Sequence, residues 1–136
     1  MNIQQFNMLQ DVITHFSKNP FELRSVNNIN EACLYMPPID KPLSTGCAIG
    51  IFISEKLAKE LDDVGSINYI FQNKSYKISL PKWMQKMDIK FLQDLQDLHD
   101  TNDNWTDINI SEIGIKWVEG ICNRYDLPFK KLKFKK

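Results

Sequence analysis

Between Asp88 and Leu98 the apolar residues Phe91, Leu92, Leu95 and Leu98 return at three- and four-residue intervals. That spacing lays them along one side of a helix, and Asp88 is placed to accept the free backbone N–H groups of its first turn. Asp94 and Asp97 are expected to point outward from this helix. A stripe of this kind is stable only when something covers it, so the rest of the chain must supply partner surfaces. Phe6, Leu9, Ile13 and Phe16 form a second stripe, expected to stop near Asn19-Pro20, where proline disfavours helical geometry in the residue before it. A third begins at Ser111, carries Ile113, Trp117, Val118, Ile121, Cys122 and Tyr125, and ends at Leu127-Pro128.

The middle of the chain reads differently. Cys47-Ala48-Ile49-Gly50-Ile51-Phe52-Ile53 is the most hydrophobic stretch and is expected to be fully buried, as a strand or as the entry to a helix. Ser54 opens a short helix through Leu57, Ala58 and Leu61, with Gly65 as its stop. Ile67, Tyr69 and Phe71, then Tyr76, Ile78 and Leu80, alternate with polar residues around Gln72-Asn73-Lys74, which predicts a small β-hairpin. The fold class expected is therefore α+β: one mainly helical domain over 1–129 with a hairpin or short sheet, followed by a basic tail at 130–136. The proline-containing stretch Pro37 to Gly46 lies between two apolar segments and is expected to be an ordered loop.

With 136 residues, 43% hydrophobic and 25% charged, the chain has the make-up of a single globular domain. No run is long enough to cross a bilayer, and Met1 to Phe6 lacks a basic-then-apolar leader pattern, so neither membrane insertion nor export is expected. Cys33, Cys47 and Cys122 are odd in number and widely spaced, which suits free thiols in a reducing, cytoplasmic setting. Formal charge is zero, yet Lys130, Lys131, Lys133, Lys135 and Lys136 hold five of the seventeen basic residues. Such a tail either follows a nucleic-acid backbone or folds back on the acidic body.

Arg24-Ser25-Val26, Cys33-Leu34-Tyr35, Cys47-Ala48-Ile49-Gly50, then Leu95-Gln96-Asp97-Leu98-His99-Asp100 and Trp105 occur in that order. In this arrangement the chain resembles an uncharacterised family of small phage and prophage proteins. The resemblance covers roughly Arg24 to Leu127 and implies no activity. Inserted Asp40-Lys41-Pro42-Leu43 and the lysine tail depart from the family pattern.

His99-Asp100 is the most suggestive chemical pair, because imidazole transfers protons near neutral pH and a carboxylate can orient it. Neighbours on a helix diverge by about 100°, so the pair reads more readily as a helix end. His99, Asp100 and Cys47, or Cys33 in its place, form the candidate catalytic set. Arg24, Tyr35 and Cys33 are candidate ligand-binding residues, the arginine offering a fork to anions and the tyrosine a planar face. The close Cys or His pairs that announce zinc are missing, and Gly46 and Gly50 do not form a phosphate-binding loop, so no metal or cofactor is expected. Trp83, Trp105 and Trp117 are expected to anchor separate helices to the core, with Trp83 alternatively on a partner surface. The leading expectation is a stoichiometric binder of a host protein or small ligand, in the host cytoplasm if phage-encoded, with action against host defence as one form of that role. The alternatives are a small enzyme and a nucleic-acid module using the lysine tail.

Overall fold

The computed structural model describes residues 2–23, 47–62 and 67–135. Arg24, Cys33, Tyr35, the Pro37–Gly46 loop, Gly65 and Lys136 lie outside the described residues. The described helices are α1 (Ile3–Ser17), α2 (Pro20–Leu23), α3 (Glu55–Asp62), α4 (Ile67–Gln72), α5 (Lys74–Lys77), α6 (Lys82–Gln85), α7 (Ile89–Asp100) and α8 (Glu112–Tyr125).

Helix α7 is the centre of the molecule, packed by α1, α4 and α8. Phe91, Leu92, Leu95 and Leu98 are buried as their spacing requires, and Asp88 accepts from the backbone N–H of Lys90 at 2.9 Å. Asp94, Gln96 and His99 are buried as well, so α7 is enclosed on more sides than one stripe accounts for. Helix α1 starts on Asn2, whose side chain accepts from Gln5 N–H, and brings Met8, Leu9, Val12, Ile13 and Phe16 against α7. Helix α8 starts on Ser111, whose hydroxyl accepts from Gly114 N–H at 3.0 Å. It ends on Asp126 at φ 54°, a left-handed position that aspartate tolerates and that lets Leu127 N–H reach back to the Cys122 carbonyl.

The α+β expectation is corrected: among the described residues there is no strand or sheet, and the fold is all-α. The predicted hairpin is helices α4 and α5. Ile67 and Ile70 are buried three residues apart while Tyr69 between them is exposed, a helical period and not an alternating one. Asn73, read as the hairpin turn, instead caps α5 by accepting from Ser75 N–H at 3.1 Å. The only extended pairing among the described residues is an isolated bridge between Trp105 and Ile110. Cys47 to Gly50 is a buried turn running into a 3₁₀ turn, neither a strand nor the start of a long helix, and Ile51 to Ile53 are only half-buried.

The basic tail lies along α1. Gln10 clasps the Lys133 backbone with both ends of its amide, donating to the carbonyl at 3.0 Å and accepting from the N–H at 2.8 Å. Leu132 is buried, and Phe134 packs on Phe129 with ring centres 5.9 Å apart. The Lys135 ammonium donates to the carbonyls of Ser17, Lys18 and Ile108 at 3.2, 3.3 and 2.7 Å. A cation at the C-terminal end of α1 is where the helix dipole favours one. Lys130, Lys131 and Lys133 keep exposed side chains.

Candidate functional site

Of the groups nominated for proton transfer and nucleophilic attack, His99 and Cys47 do not meet solvent, while Asp100 is partly exposed. His99 and Cys47 are each 0% exposed. His99 does contact its neighbour: Nδ1 lies 2.8 Å from Asp100 Oδ1, because Asp100 is the last residue of α7 and the chain leaves helical geometry at Thr101. The imidazole is enclosed by the ring of Phe16, with centroids 4.7 Å apart and planes at 72°. A depression beside it is lined by Asp100, Thr101, Asn102 and Asp103, with His99 absent from its wall. Among the described residues no group of three or more His, Cys, Asp or Glu side chains converges as a metal site.

Cys122 is buried on the core side of α8, and burial followed by repulsion from Glu119 pushes its thiol up to about 11. A thiol so raised is protonated, and unreactive, at neutral pH. In a Cys33→Ser variant a disulfide reagent at pH 8 should therefore label neither Cys47 nor Cys122 in the folded protein and both in denaturant. Rapid labelling of native Cys47 would restore it as a nucleophile.

An open site lies instead between α7 and α8, a groove of about 370 Å³. Helix spacing builds both walls. Lys90, Asp94 and Asp97 follow one another at i, i+4 and i+7 along α7, and Lys116, Gly120 and Arg124 at i, i+4 and i+8 along α8. Trp117 and Ile121 fill the neighbouring row of α8. Trp117 is 39% exposed, so the expectation that it anchors α8 to the core is corrected, as it is for half-open Trp83 and for exposed Ile113. Trp105 alone of the three tryptophans is buried, with its indole N–H donating to the Leu98 carbonyl at 2.9 Å. A Cβ added to Gly120 would meet nothing within 4 Å, so this glycine keeps the groove open between Lys116, Trp117 and Arg124.

Asp94 holds the two walls together. Expected on the surface, it is 3% exposed, because α8 covers this side of α7. Its Oδ2 accepts from Arg124 Nη1 at 2.5 Å and from the Tyr125 hydroxyl at 2.7 Å, while Lys90 Nζ stands 3.7 Å from Oδ1. Burial and the bond to Asp94 hold the Tyr125 phenol well above its ordinary value, and the same carboxylate strengthens protonation of Arg124. Asp94→Asn should destabilise by about 1.5 kcal/mol in urea titrations, chiefly because a neutral amide with one acceptor oxygen in place of two weakens the buried bond from Tyr125. The Arg124 pair, half in solvent, adds little. An unchanged midpoint would show that the carboxylate is not a tie.

Asp97 lies at the other edge, exposed, and partial burial, then Asp100, then Asp94 raise its carboxyl. A carboxyl raised on folding binds its proton more tightly in the native state, so its ionisation removes stability as pH climbs through and above the ordinary carboxylate range. Asp97→Asn should therefore stabilise the protein at pH 7 and have little effect near pH 3. Equal effects at the two pH values would contradict the assignment.

No protein-family model, curated protein or solved structure matches this chain. The sequence reading missed Asp94, Trp117, Gly120 and Arg124. Their signal was present as two periodic charged rows and a glycine in the middle of a helix, but pairing those rows needs the contact between α7 and α8. Arg24, Cys33 and Tyr35 are outside the described residues.

Proposed function

We propose that this protein is a non-catalytic, stoichiometric binder and that the groove between α7 and α8 is its recognition site. One contrast carries the reading: His99 and Cys47, the groups suited to reaction, are sealed in the core, whereas an indole, three cations and open space face solvent together. Aromatic and arginine side chains in a concave site supply contact area and orientation without bond-making chemistry. The resemblance to small phage and prophage proteins supports a host-cytoplasmic accessory role, with action against host defence as one form of it. No described helix is long and apolar enough to cross a membrane.

Binding to a purified candidate partner or ligand, measured by calorimetry, should saturate at one site per chain and be lost in Trp117→Ala and Gly120→Leu. Full affinity in both variants would remove the groove from the function. A DNA or RNA interaction that weakens with salt and disappears when Lys130, Lys131 and Lys133 become glutamine would instead favour the tail, without disturbing the backbone contacts that dock it.

A further inference from the structure

We infer that the α7–α8 groove takes a small planar anion, an aromatic ring system carrying one carboxylate or phosphate. The inference rests on the recognition reading above and deepens it.

Size is the first constraint. About 370 Å³ lies near the lower end of small-molecule sites, roughly 300–1,000 Å³, and admits one or two rings with an acidic substituent. Shape is the second. Gly120 is flanked by Lys116 four residues before it, Trp117 three before and Arg124 four after, which places all three around one glycine on one helical face. Glycine inside a helix weakens it relative to alanine, and here no neighbour demands the missing Cβ. The helix gives up stability at the one position where a side chain would stand between the indole and the two cations.

Charge decides the sign of the ligand. The groove presents Lys90, Lys116 and Arg124 against Asp94 and Asp97. Asp94 is buried, its Oδ2 is taken by Arg124 and Tyr125 and its Oδ1 faces Lys90 at 3.7 Å, so this carboxylate offers little to a cationic guest. Among the described residues no hydrogen bond or ion pair engages Lys116, and Arg124, half exposed, has donors beyond the one given to Asp94. An organic cation on Trp117 would face Lys116, the cation Asp94 does not pair, whereas an anion meets Lys116 and the donors of Arg124 left over from Asp94 while its ring stacks on the indole. Asp97 is the opposing charge left, and its raised carboxyl makes that opposition weaken sooner as pH falls.

The test is an NMR titration of the full chain with 2-naphthoate and with adenosine 5′-monophosphate, each against its neutral counterpart, 2-naphthamide and adenosine. The Trp117 indole N–H, assigned through Trp117→Phe, and the α8 amides around Gly120 should move and saturate with at least one anion, marking carboxylate or phosphate as the preferred group. The neutral counterpart should bind about threefold or more weakly, and added salt should weaken the anion. Lys116→Gln should weaken it about threefold, Asp97→Asn should strengthen it, and Gly120→Leu should abolish it. Gly120→Ala, which the helix accepts, should weaken binding with the fold retained. Equal binding of neutral and anionic probes, shifts centred elsewhere, or full affinity in both Gly120 variants would overturn the inference. If no anion binds but a protein partner protects α7 and α8 amides from exchange, the small-anion inference falls while the recognition reading stands. If groove variants change no interaction of any kind, both fall.

Discussion

Gly114→Ala is expected to destabilise the protein by about 3 kcal/mol, at the upper end of what overpacking a buried site costs. A Cβ at this position would stand 2.3 Å from the Asn104 carbonyl oxygen, 2.6 Å from Ile110 Cγ1 and 3.0 Å from the Asn104 carbonyl carbon. Two of those three atoms are backbone, and that backbone is held from several sides. The Asn104 carbonyl accepts from Ser111 N–H at 2.8 Å, Asn104 N–H donates to Thr101 at 3.0 Å, and its side chain donates to the Leu98 carbonyl at 3.1 Å. The first turn of α8 would have to lift away from the segment joining it to α7, loosening the contact that aligns the two walls of the groove. Gly120→Ala, the same chemical change six residues on, meets nothing and should stabilise by about 0.5–1 kcal/mol. Urea unfolding followed by circular dichroism measures both. If the two substitutions move the midpoint in the same direction, the close approach of α8 to Asn104 is wrong.

Phe16→Ala should cost about 3–5 kcal/mol. Phe16 is fully buried near the end of α1, and its ring meets His99 of α7 edge-on at 4.7 Å and Trp105 at 6.2 Å. Truncation removes apolar area and leaves a void bounded by a buried imidazole and a buried indole, neither of which can collapse freely. Trp105 is held by its bond to the Leu98 carbonyl and His99 by its contact with Asp100. The loss should therefore show in two measurements: a lower urea midpoint and a shifted, broadened Trp105 indole N–H resonance. Phe6→Ala, on the half-buried side of α1, should cost about 1 kcal/mol by comparison. Comparable losses at both positions would mean that Phe16 is not the junction of α1, α7 and the segment after it.

The long helices were legible because each is a stripe of apolar residues at helical spacing behind a capping residue, and Asn2, Asp88 and Ser111 all perform the capping role that such positions favour. Asn2 was overlooked all the same, since its residue type alone does not distinguish a cap from a turn. The segment from Ile67 to Leu80 failed for a related reason. Ile67, Tyr69, Ile70 and Phe71 contain both an alternating set (67, 69, 71) and a helical set (67, 70, 71), and the decision passes to what the segment packs against. Here α7 covers Ile67 and Ile70, leaving Tyr69 and Ile78 outside.

The candidate site shows the same division more sharply. Lys90, Asp94 and Asp97, and Lys116, Gly120 and Arg124, occupy periodic positions that the sequence alone assigns to one face of each helix. Whether such a face meets water or another helix is a property of pairs of elements. Asp94 looked like a surface charge until α8 covered it and supplied Arg124 and Tyr125, and His99 was a proton-transfer candidate until its burial against Phe16 was known. By itself the sequence determined which residues share a helix face, where the principal helices begin, and that no long apolar span is present, because these depend on neighbours within a few residues. Tertiary structure alone decided which polar groups were buried, which tryptophans stayed open and where a groove remained, because each depends on contacts between residues distant in the chain.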